Sequence, residues 1–255
     1  MLAFRHSGRM GDVFYSLYWT TRYAKGQPFD FILKTGVADR FDPSQRPHLM
    51  EPENAEFVRP LLESQHYINR VLIESALHRT SGEVIVLDSF RQDMRRIIGK
   101  EIRTWYYHFR EQIPDGEFDR QVLTLQETPR KFDRIAICFS PRYRQKFDLS
   151  PLKQYQDRLV FIGLPEEWRS FCSIWFSVDY HPVKDALEML RFMRSSRCFV
   201  GNVSGTFAIA ECAKVPRILC LEPNRGNVRV YNNGFEAANP SELEAHLNTY
   251  MEEIL

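Results

Sequence analysis

Three consecutive residues near the carboxyl end of the chain, Ser204, Gly205 and Thr206, have the types that bind a phosphate. They stand between an apolar run at 198–200, typical of a buried parallel strand, and a segment that favours a helix. A helix that opens on these residues offers free backbone N–H groups and the positive end of its dipole to an anion. The alternative is that the glycine and serine serve only the turn between strand and helix.

Glu211 lies six residues beyond Gly205 in the same predicted helix. At about 1.5 Å per residue, this spacing corresponds to about 9 Å along the helix axis. That length is comparable to the distance from a diphosphate to the ribose hydroxyls of a nucleotide, so we predict that Glu211 binds the ribose. The alternative is a solvated helix residue, which is the usual state of a glutamate.

A second glycine-containing turn, at 6–12, ends on Asp12 and precedes an apolar stripe with helical spacing at 13–21. Two interpretations of Asp12 are open. Its carboxylate could be a general base, or it could cap the helix that follows. His6 lies in the same turn, and we expect it to have a structural or solvent-facing role.

Four blocks of the sequence resemble the heptosyltransferases, glycosyltransferase family nine. The block at 8–25, GRMGDVFYSLYWTTRYAK, resembles the amino-terminal motif of the family, and 199–223 resembles its carboxyl-terminal motif. Between them, 135–147 is similar to the strand and basic loop that open the second domain, and 159–167 to the next strand and acidic turn. The blocks follow the order of the family, whereas 36–130 carries no motif of it.

The resemblance implies an α/β protein of the GT-B fold, with two Rossmann-like domains facing across a cleft. The first domain, at 1–130, would bind the acceptor. The second, at 131–255, would bind a nucleotide sugar, and its last helix would pack back on the first. The resemblance also implies that Asp12 is the catalytic base. The resemblance further implies a set of residues that bind the donor and its phosphates: Gly11, Arg144, Lys146, Ser204, Gly205 and Thr206.

The chain departs from the carboxyl-terminal motif at two polar positions. Val203 replaces an aspartate and Ala208 replaces a histidine. A hydrophobic side chain cannot make the hydrogen bonds of a carboxylate, and Glu211 offers only a partial substitute. The donor is therefore open between ADP-heptose and another nucleotide sugar, and the chain could also be a relative that binds without turnover.

The elements that must position these residues alternate between strand and helix, as expected for parallel sheets. Gly36 to Glu53 reads as a loop, and 114–131 carries charge and proline, so the domain boundary is expected there. The pattern predicts strands at 2–6, 29–34, 67–74, 83–88, 134–139, 157–163, 198–200 and 217–221, and helices at 12–24, 53–64, 92–112, 166–172, 185–194, 206–214 and from 241 onward.

Composition agrees with an ordinary globular protein of 255 residues, 44% hydrophobic and 26% charged. A net charge of +1 gives no overall attraction to nucleic acid or membranes. Arg5, His6, Arg9 and Asp12 interrupt any apolar core of a signal peptide, so we expect a cytoplasmic protein. The five cysteines form no C-x-x-C pair and are expected to be buried thiols.

The segment 90–110 mixes basic and aromatic residues. It could bind single-stranded nucleic acid, form a solvated basic helix pair, or receive an acidic acceptor. Acidic residues dilute its charge, so we expect no nucleic-acid partner.

The sequence therefore predicts a glycosyltransferase that moves a sugar from a nucleotide diphosphate to a surface glycan or lipid-linked glycan. No cofactor is expected and, since no Asp-x-Asp motif is present, no metal. Peripheral membrane contact fits such an acceptor. The alternatives are a GT-B enzyme of another reaction, such as a nucleotide-sugar epimerase, and a non-catalytic nucleotide- or glycan-binding relative.

Overall fold

The structure is a computed structural model that describes residues 2–39, 47–75, 84–92, 99–107, 112–127, 129–141, 147–221 and 227–252. The chain forms two compact units. Unit 1 comprises Met1–Phe118 with Asp185–Leu187, and unit 2 comprises Asp119–Lys184 with Glu188–Leu255. The main division, at 118–119, falls inside the charged segment 114–131.

Unit 1 is built on a parallel sheet whose strands lie in the order β3-β2-β1-β4. The strands are β1 (Ala3–His6), β2 (Phe29–Lys34), β3 (Ile68–Glu74) and β4 (Ile85–Val86), and the α-helices are α1 (Met10–Tyr23) and α2 (Pro52–Glu63). Short 3₁₀ segments cover Leu87–Gln92, Ile102–Tyr106 and Glu117–Asp119.

Aromatic residues fill the core of unit 1 beside β1. The ring of Phe4 meets those of Trp19 and Phe29 edge-on, with centroids 5.9 and 4.9 Å apart. Arg103 is fully buried among the rings of α1 and pairs with Glu101. Helix α1 therefore contacts the sheet through Trp19, and it is buried at every position from 12 to 20 rather than along a single apolar stripe.

Unit 2 is built on a six-stranded parallel sheet in the order β10-β9-β8-β5-β6-β7. The strands are β5 (Ile135–Cys138), β6 (Leu159–Ile162), β7 (Asp179–His181), β8 (Cys198–Gly201), β9 (Arg217–Cys220) and β10 (Gly234–Ala237). The helices are α3 (Pro165–Ile174), α4 (Ala186–Ser195), α5 (Gly205–Cys212) and α6 (Pro240–Glu252), and a 3₁₀ segment covers Ser150–Arg158.

The central strands of unit 2 are buried along their whole length. All five cysteines are free thiols, and burial raises the pKa of Cys198 to about 12. Cys198 therefore behaves as a small core hydrophobe rather than a reactive group. Among the described residues, no helix combines the length and apolar character needed to cross a bilayer.

Both edge strands of this sheet differ from the sequence prediction. The strands predicted from the sequence include neither β7, at Asp179–His181, nor β10, at Gly234–Ala237. An edge strand has one neighbour and one buried face, so it needs no continuous apolar run. In unit 1, the strand predicted at 83–88 is reduced to β4, and the described middle part of the helix predicted at 92–112 contains a 3₁₀ segment at Ile102–Tyr106.

Candidate functional site

The first group of polar residues lies where the strand order of the sheet in unit 1 reverses. The chain passes from β1 to β2 and β3 on one side of β1, and then to β4 on the other side. The connection after β1 leads to β2 on one side, whereas the connection after β3 leads to β4 on the other, and parallel α/β sheets bind ligands at such a switch point. Ser7, just after β1, donates a hydrogen bond to Asp88, two residues after β4. This hydrogen bond joins the segments that follow β1 and β4 at the carboxyl edge of the sheet.

Asp12 lies in the first turn of α1 at this switch point, and its side chain is 13% exposed. Its Oδ2 accepts hydrogen bonds from the backbone N–H of Arg9, at 3.2 Å, and from the guanidinium of Arg91, at 2.5 Å. The first contact caps the helix, so the capping interpretation holds in part. Its role as a base stays a prediction. Gly11 is the second residue of α1, because the helix begins at Met10.

His6 is fully buried and belongs to a directed chain of hydrogen bonds. Its Nδ1 accepts from the backbone N–H of Gly8 at 2.7 Å, and its Nε2 lies 2.9 Å from the Tyr106 hydroxyl. That hydroxyl donates to the backbone carbonyl of Asp12 at 2.8 Å. Since the tyrosine proton is already used, Nε2 must carry the imidazole proton. Of the two roles expected for His6, burial excludes the solvent-facing one, and these hydrogen bonds are compatible with the structural one.

Gly8 makes this arrangement sterically possible. A Cβ atom at this position would lie 2.3 Å from Cε1 of His6 and 2.8 Å from Oδ2 of Asp12. No side chain fits between these two groups, so the turn requires a glycine.

Burial lowers the pKa of His6, and the charge of Arg91 lowers it further. The carboxylates of Asp88 and Asp12 act in the opposite direction but do not reverse the effect. The imidazole is therefore neutral at pH 7, as the hydrogen bond from Gly8 to its Nδ1 requires.

Sequence reasoning missed three members of this group: Asp88, Arg91 and Tyr106. A usable signal was present, since Arg91 and Tyr106 belong to the basic and aromatic segment at 90–110. The sequence alone leaves the role of that segment open between a nucleic-acid surface, a solvated basic helix pair and a site for an acidic acceptor. The position of the segment directly after β4 places its beginning at the carboxyl edge of the sheet.

The second group lies at the switch point of the other sheet. The chain passes from β5 to β6 and β7 on one side, and then to β8, β9 and β10 on the other. Asn202, just after β8, donates to the carbonyl of Ser140 at 2.8 Å and accepts from its backbone N–H at 3.0 Å. A Cβ atom at Gly201 would lie 2.7 Å from the carbonyl oxygen of Cys138, so the strand ends approach too closely for a side chain.

The predicted phosphate-binding turn opens α5 at this edge. The Ser204 hydroxyl caps the helix by accepting from the Phe207 N–H at 3.1 Å. The first N–H groups of a helix have no intrahelical acceptor, so those of Gly205 and Thr206 are available to water or an anion. The Thr206 hydroxyl lies 3.5 Å from Sγ of Cys138. Phosphate binding stays a prediction, and this geometry is compatible with it.

Glu211 is fully buried, so its interpretation as a solvated helix residue is wrong. Its Oε1 lies 2.6 Å from Nζ of Lys214, and its Oε2 lies 2.6 Å from Nε of Arg217. The carboxylate is enclosed by two cations inside unit 2 and is not presented at the edge of the sheet. Its predicted contact with a ribose therefore finds no support in this geometry.

Arg217 explains why a carboxylate is needed at position 211. Its guanidinium is fully buried and also donates to the backbone carbonyls of Val215, Tyr231, Asn232 and Asn233. Four carbonyls orient the group but do not neutralise its charge, and Glu211 supplies that charge.

The remaining predicted positions are less informative. Arg144 and Lys146 lie outside the described residues. Ala208 is fully buried in α5, so the position of the family histidine offers no polar group.

Comparison with solved structures gives similarity along the whole chain. Heptosyltransferase WaaC of E. coli, solved with ADP-2-deoxy-2-fluoro heptose, matches with a TM-score of 0.57 and 12% identity, covering 100% of both chains. ADP-heptose LPS heptosyltransferase II of E. coli matches with a TM-score of 0.61 and 13% identity, covering 99% of each chain. The family 9 glycosyl transferase of Veillonella parvula matches with a TM-score of 0.61 and 10% identity, covering 100% of this chain and 89% of the other.

No protein-family model matches the sequence, and no curated protein matches it. At these identities, the similarity establishes the fold alone. The predicted fold class, α/β of the GT-B type, is confirmed.

Replacing Glu211 with alanine should destabilise unit 2 by about 3–5 kcal/mol, because Lys214 and Arg217 would stay buried without a counter-charge. Urea unfolding followed by circular dichroism measures the change. Glu244→Ala, at an exposed glutamate of α6, is the control and should leave the midpoint unchanged. An E211A midpoint equal to that of the wild type would show that the buried pair has no structural role.

Acidification should destabilise the protein through His6. Its folded pKa lies below the ordinary value of about 6.5, so protonation favours the unfolded chain. The contribution of neutral His6 to the free energy of unfolding is complete above about pH 6.5. As the pH falls below this value, that contribution is lost by up to about 1.4 kcal/mol per pH unit. His6→Gln should reduce the slope of unfolding free energy against pH between about pH 7 and 5. His66→Gln, at an exposed histidine, should not; equal slopes in all three proteins would refute the assignment.

Proposed function

We propose that this protein is a glycosyltransferase that moves a sugar from a nucleotide diphosphate donor to a hydroxyl of a glycan or lipid-linked glycan. The observation that carries the proposal is the similarity of fold along the whole chain to heptosyltransferases, one of which was solved with an ADP-heptose analogue. Two further features support it. A carboxylate and a helix-opening turn occupy the switch points of the two sheets, where α/β proteins bind ligands.

The donor binds at the turn of unit 2 in this proposal. The N–H groups of Gly205 and Thr206 contact the diphosphate, and Arg144 and Lys146 add positive charge. As the bond from the sugar to the diphosphate breaks, negative charge grows on the leaving oxygen. Backbone dipoles and cations that are already in position stabilise that charge without reorganisation.

Asp12 takes the proton from the acceptor hydroxyl as the new carbon–oxygen bond forms. Among the described residues, both polar contacts of its carboxylate are made by Oδ2. Oδ1 is therefore the atom assigned to the acceptor proton. Tyr106 and His6 are positioning residues, because they hold the backbone of Asp12 rather than its carboxylate.

A non-catalytic relative is the second candidate, and the substitutions in the carboxyl-terminal motif favour it. Val203 and Ala208 cannot make polar contacts to a donor through their side chains, so ADP-heptose, named for the similar enzymes, needs a direct test against other nucleotide sugars. A labelled donor separates the alternatives. Transfer to an acceptor supports a transferase, a rearranged sugar supports an epimerase, and binding without turnover supports the relative.

The proposal includes a reaction without a cofactor or metal, in the cytoplasm. Transfer should be equally fast in the presence of EDTA. A loss that is restored by a divalent cation would contradict metal independence while leaving the transferase assignment intact.

Gly205→Pro should weaken nucleotide diphosphate binding by about 10–100-fold, the value of one hydrogen bond to a charged group. Proline is tolerated at the first helical position and removes only its N–H, and Ser204 already has extended backbone angles. Gly205→Ala keeps the N–H and is the matched control. The shift in melting temperature with ADP, UDP, GDP, CDP and their sugars identifies the donor. The same shift, measured for both variants, compares their binding of that donor. Equal shifts in both would exclude this turn as the phosphate site.

Asp12→Asn should reduce transfer by about 10²–10⁴-fold while the thermal shift produced by the donor is retained. Asparagine keeps an oxygen for the Arg9 N–H but cannot accept a proton at neutral pH. The measurement is transfer of labelled sugar from the donor that the panel identifies. Asp30→Asn removes another buried, ion-paired carboxylate of unit 1 and should leave the rate unchanged. A D12N rate equal to that of the wild type would reduce Asp12 to a capping residue.

A further inference from the structure

Unit 2 has an open surface groove of about 420 Å³ beside α4, and its lining includes none of the residues described at the switch point of the same sheet. We call it the α4 groove. Its lining includes Phe132, Arg134, Lys184, Glu188, Arg191 and Phe192. The volume is within the range of small-ligand sites, and the lining combines two aromatic rings with several cations. None of these residues has a role in the proposed transfer.

Arg134 is held in this groove by neutral groups. Its guanidinium lies 3.7 Å from the ring centre of Phe192 and 4.8 Å from that of Phe132. Its Nη2 donates to Oγ of Ser195 at 2.5 Å, and its Nε lies 3.3 Å from Oγ of Ser196. Burial lowers its pKa, but an arginine stays charged at neutral pH. The guanidinium is thus fixed in position while its charge is not neutralised.

The other charges of the groove are also mostly positive. Lys184 and Arg191 are exposed, and in the described part of the chain neither of them, nor Arg134, forms an ion pair. Among the described residues of the lining, Glu188 is the one carboxylate, and it accepts the backbone N–H of Lys184 at 2.9 Å. The groove therefore has an excess of positive charge that an anion would neutralise.

The aromatic wall indicates that the anion has an organic part. Phe132 is 48% exposed, which is unusual for a side chain of this size. Its ring lies within reach of a ligand that is held by the neighbouring guanidinium. We propose that the α4 groove binds a phosphomonoester, whose phosphate contacts Arg134, Lys184 and Arg191 and whose organic group lies on Phe132. Arginine and lysine together are the usual ligands of phosphate, and the site is independent of the proposed donor turn.

Phenyl phosphate is the probe, and calorimetry at low ionic strength measures its binding to the full chain. Lys184→Gln/Arg191→Gln should weaken binding by at least about tenfold, because two charge-assisted contacts are lost. Both residues are exposed, so the fold should be retained. Lys153→Gln/Arg169→Gln removes the same charge from exposed positions elsewhere on unit 2 and should bind as the wild type does. Phe132→Ala should weaken binding of phenyl phosphate but not of inorganic phosphate.

Two further arms identify the source of the phosphate and exclude the donor turn. Binding to phosphatidylcholine vesicles that contain phosphatidic acid, lost in the Lys184/Arg191 variant, supports a lipid headgroup. Binding of phenyl phosphate without vesicle binding supports a soluble ester. Gly205→Pro must leave phenyl phosphate binding unchanged, and its loss would assign the probe to the donor turn and overturn the proposal. Failure of the wild type to bind either probe, or equal binding by both double variants, would also overturn it.

Discussion

A parallel sheet can grow only through crossover connections, and this constraint determines where both candidate sites lie. In each unit the first strand along the chain, β1 or β5, ends in the interior of its sheet with neighbours on both sides. Connections therefore leave the carboxyl edge of the sheet toward both sides of this strand, and a gap opens between them. In unit 1 the side chains of Ser7 and Asp88 bridge this gap, and in unit 2 the side chain of Asn202 bridges it by bonding to the backbone of Ser140.

Each unit also contains a fully buried arginine that joins distant parts of its chain. Arg103 lies among the aromatic rings of α1 with Glu101 as its counter-charge. Arg217 pairs with Glu211 and binds the carbonyls that precede β10. A buried guanidinium is stable only when its charge and its donors are all matched, so these contacts specify one arrangement of the surrounding loops.

The sequence predicted the central strands, the glycine-containing turns and the helices that follow them, because each depends on local pattern. It did not predict contacts between distant residues. His6 and Tyr106 are 100 positions apart, so no spacing rule could connect them. The interpretation of Glu211 as a solvated residue was wrong for a related reason. Its partner Arg217 lies in the next strand, and the periodicity of a helix cannot show which carboxylate faces a buried cation. The edge strands β7 and β10 were missed because a single neighbour stabilises them.

Tyr250, near the end of α6, has a consequence for how the protein is made. Its hydroxyl accepts the backbone N–H of Arg217 and donates to the carbonyl of Asn233, so it completes the surroundings of the buried arginine. On a translating ribosome, all strands of the second sheet leave the exit tunnel before this residue does. Unit 2 therefore cannot reach its final state until synthesis has passed Tyr250, whereas the sheet of unit 1 is available for folding much earlier. Vectorial synthesis thus separates the folding of the two units in time.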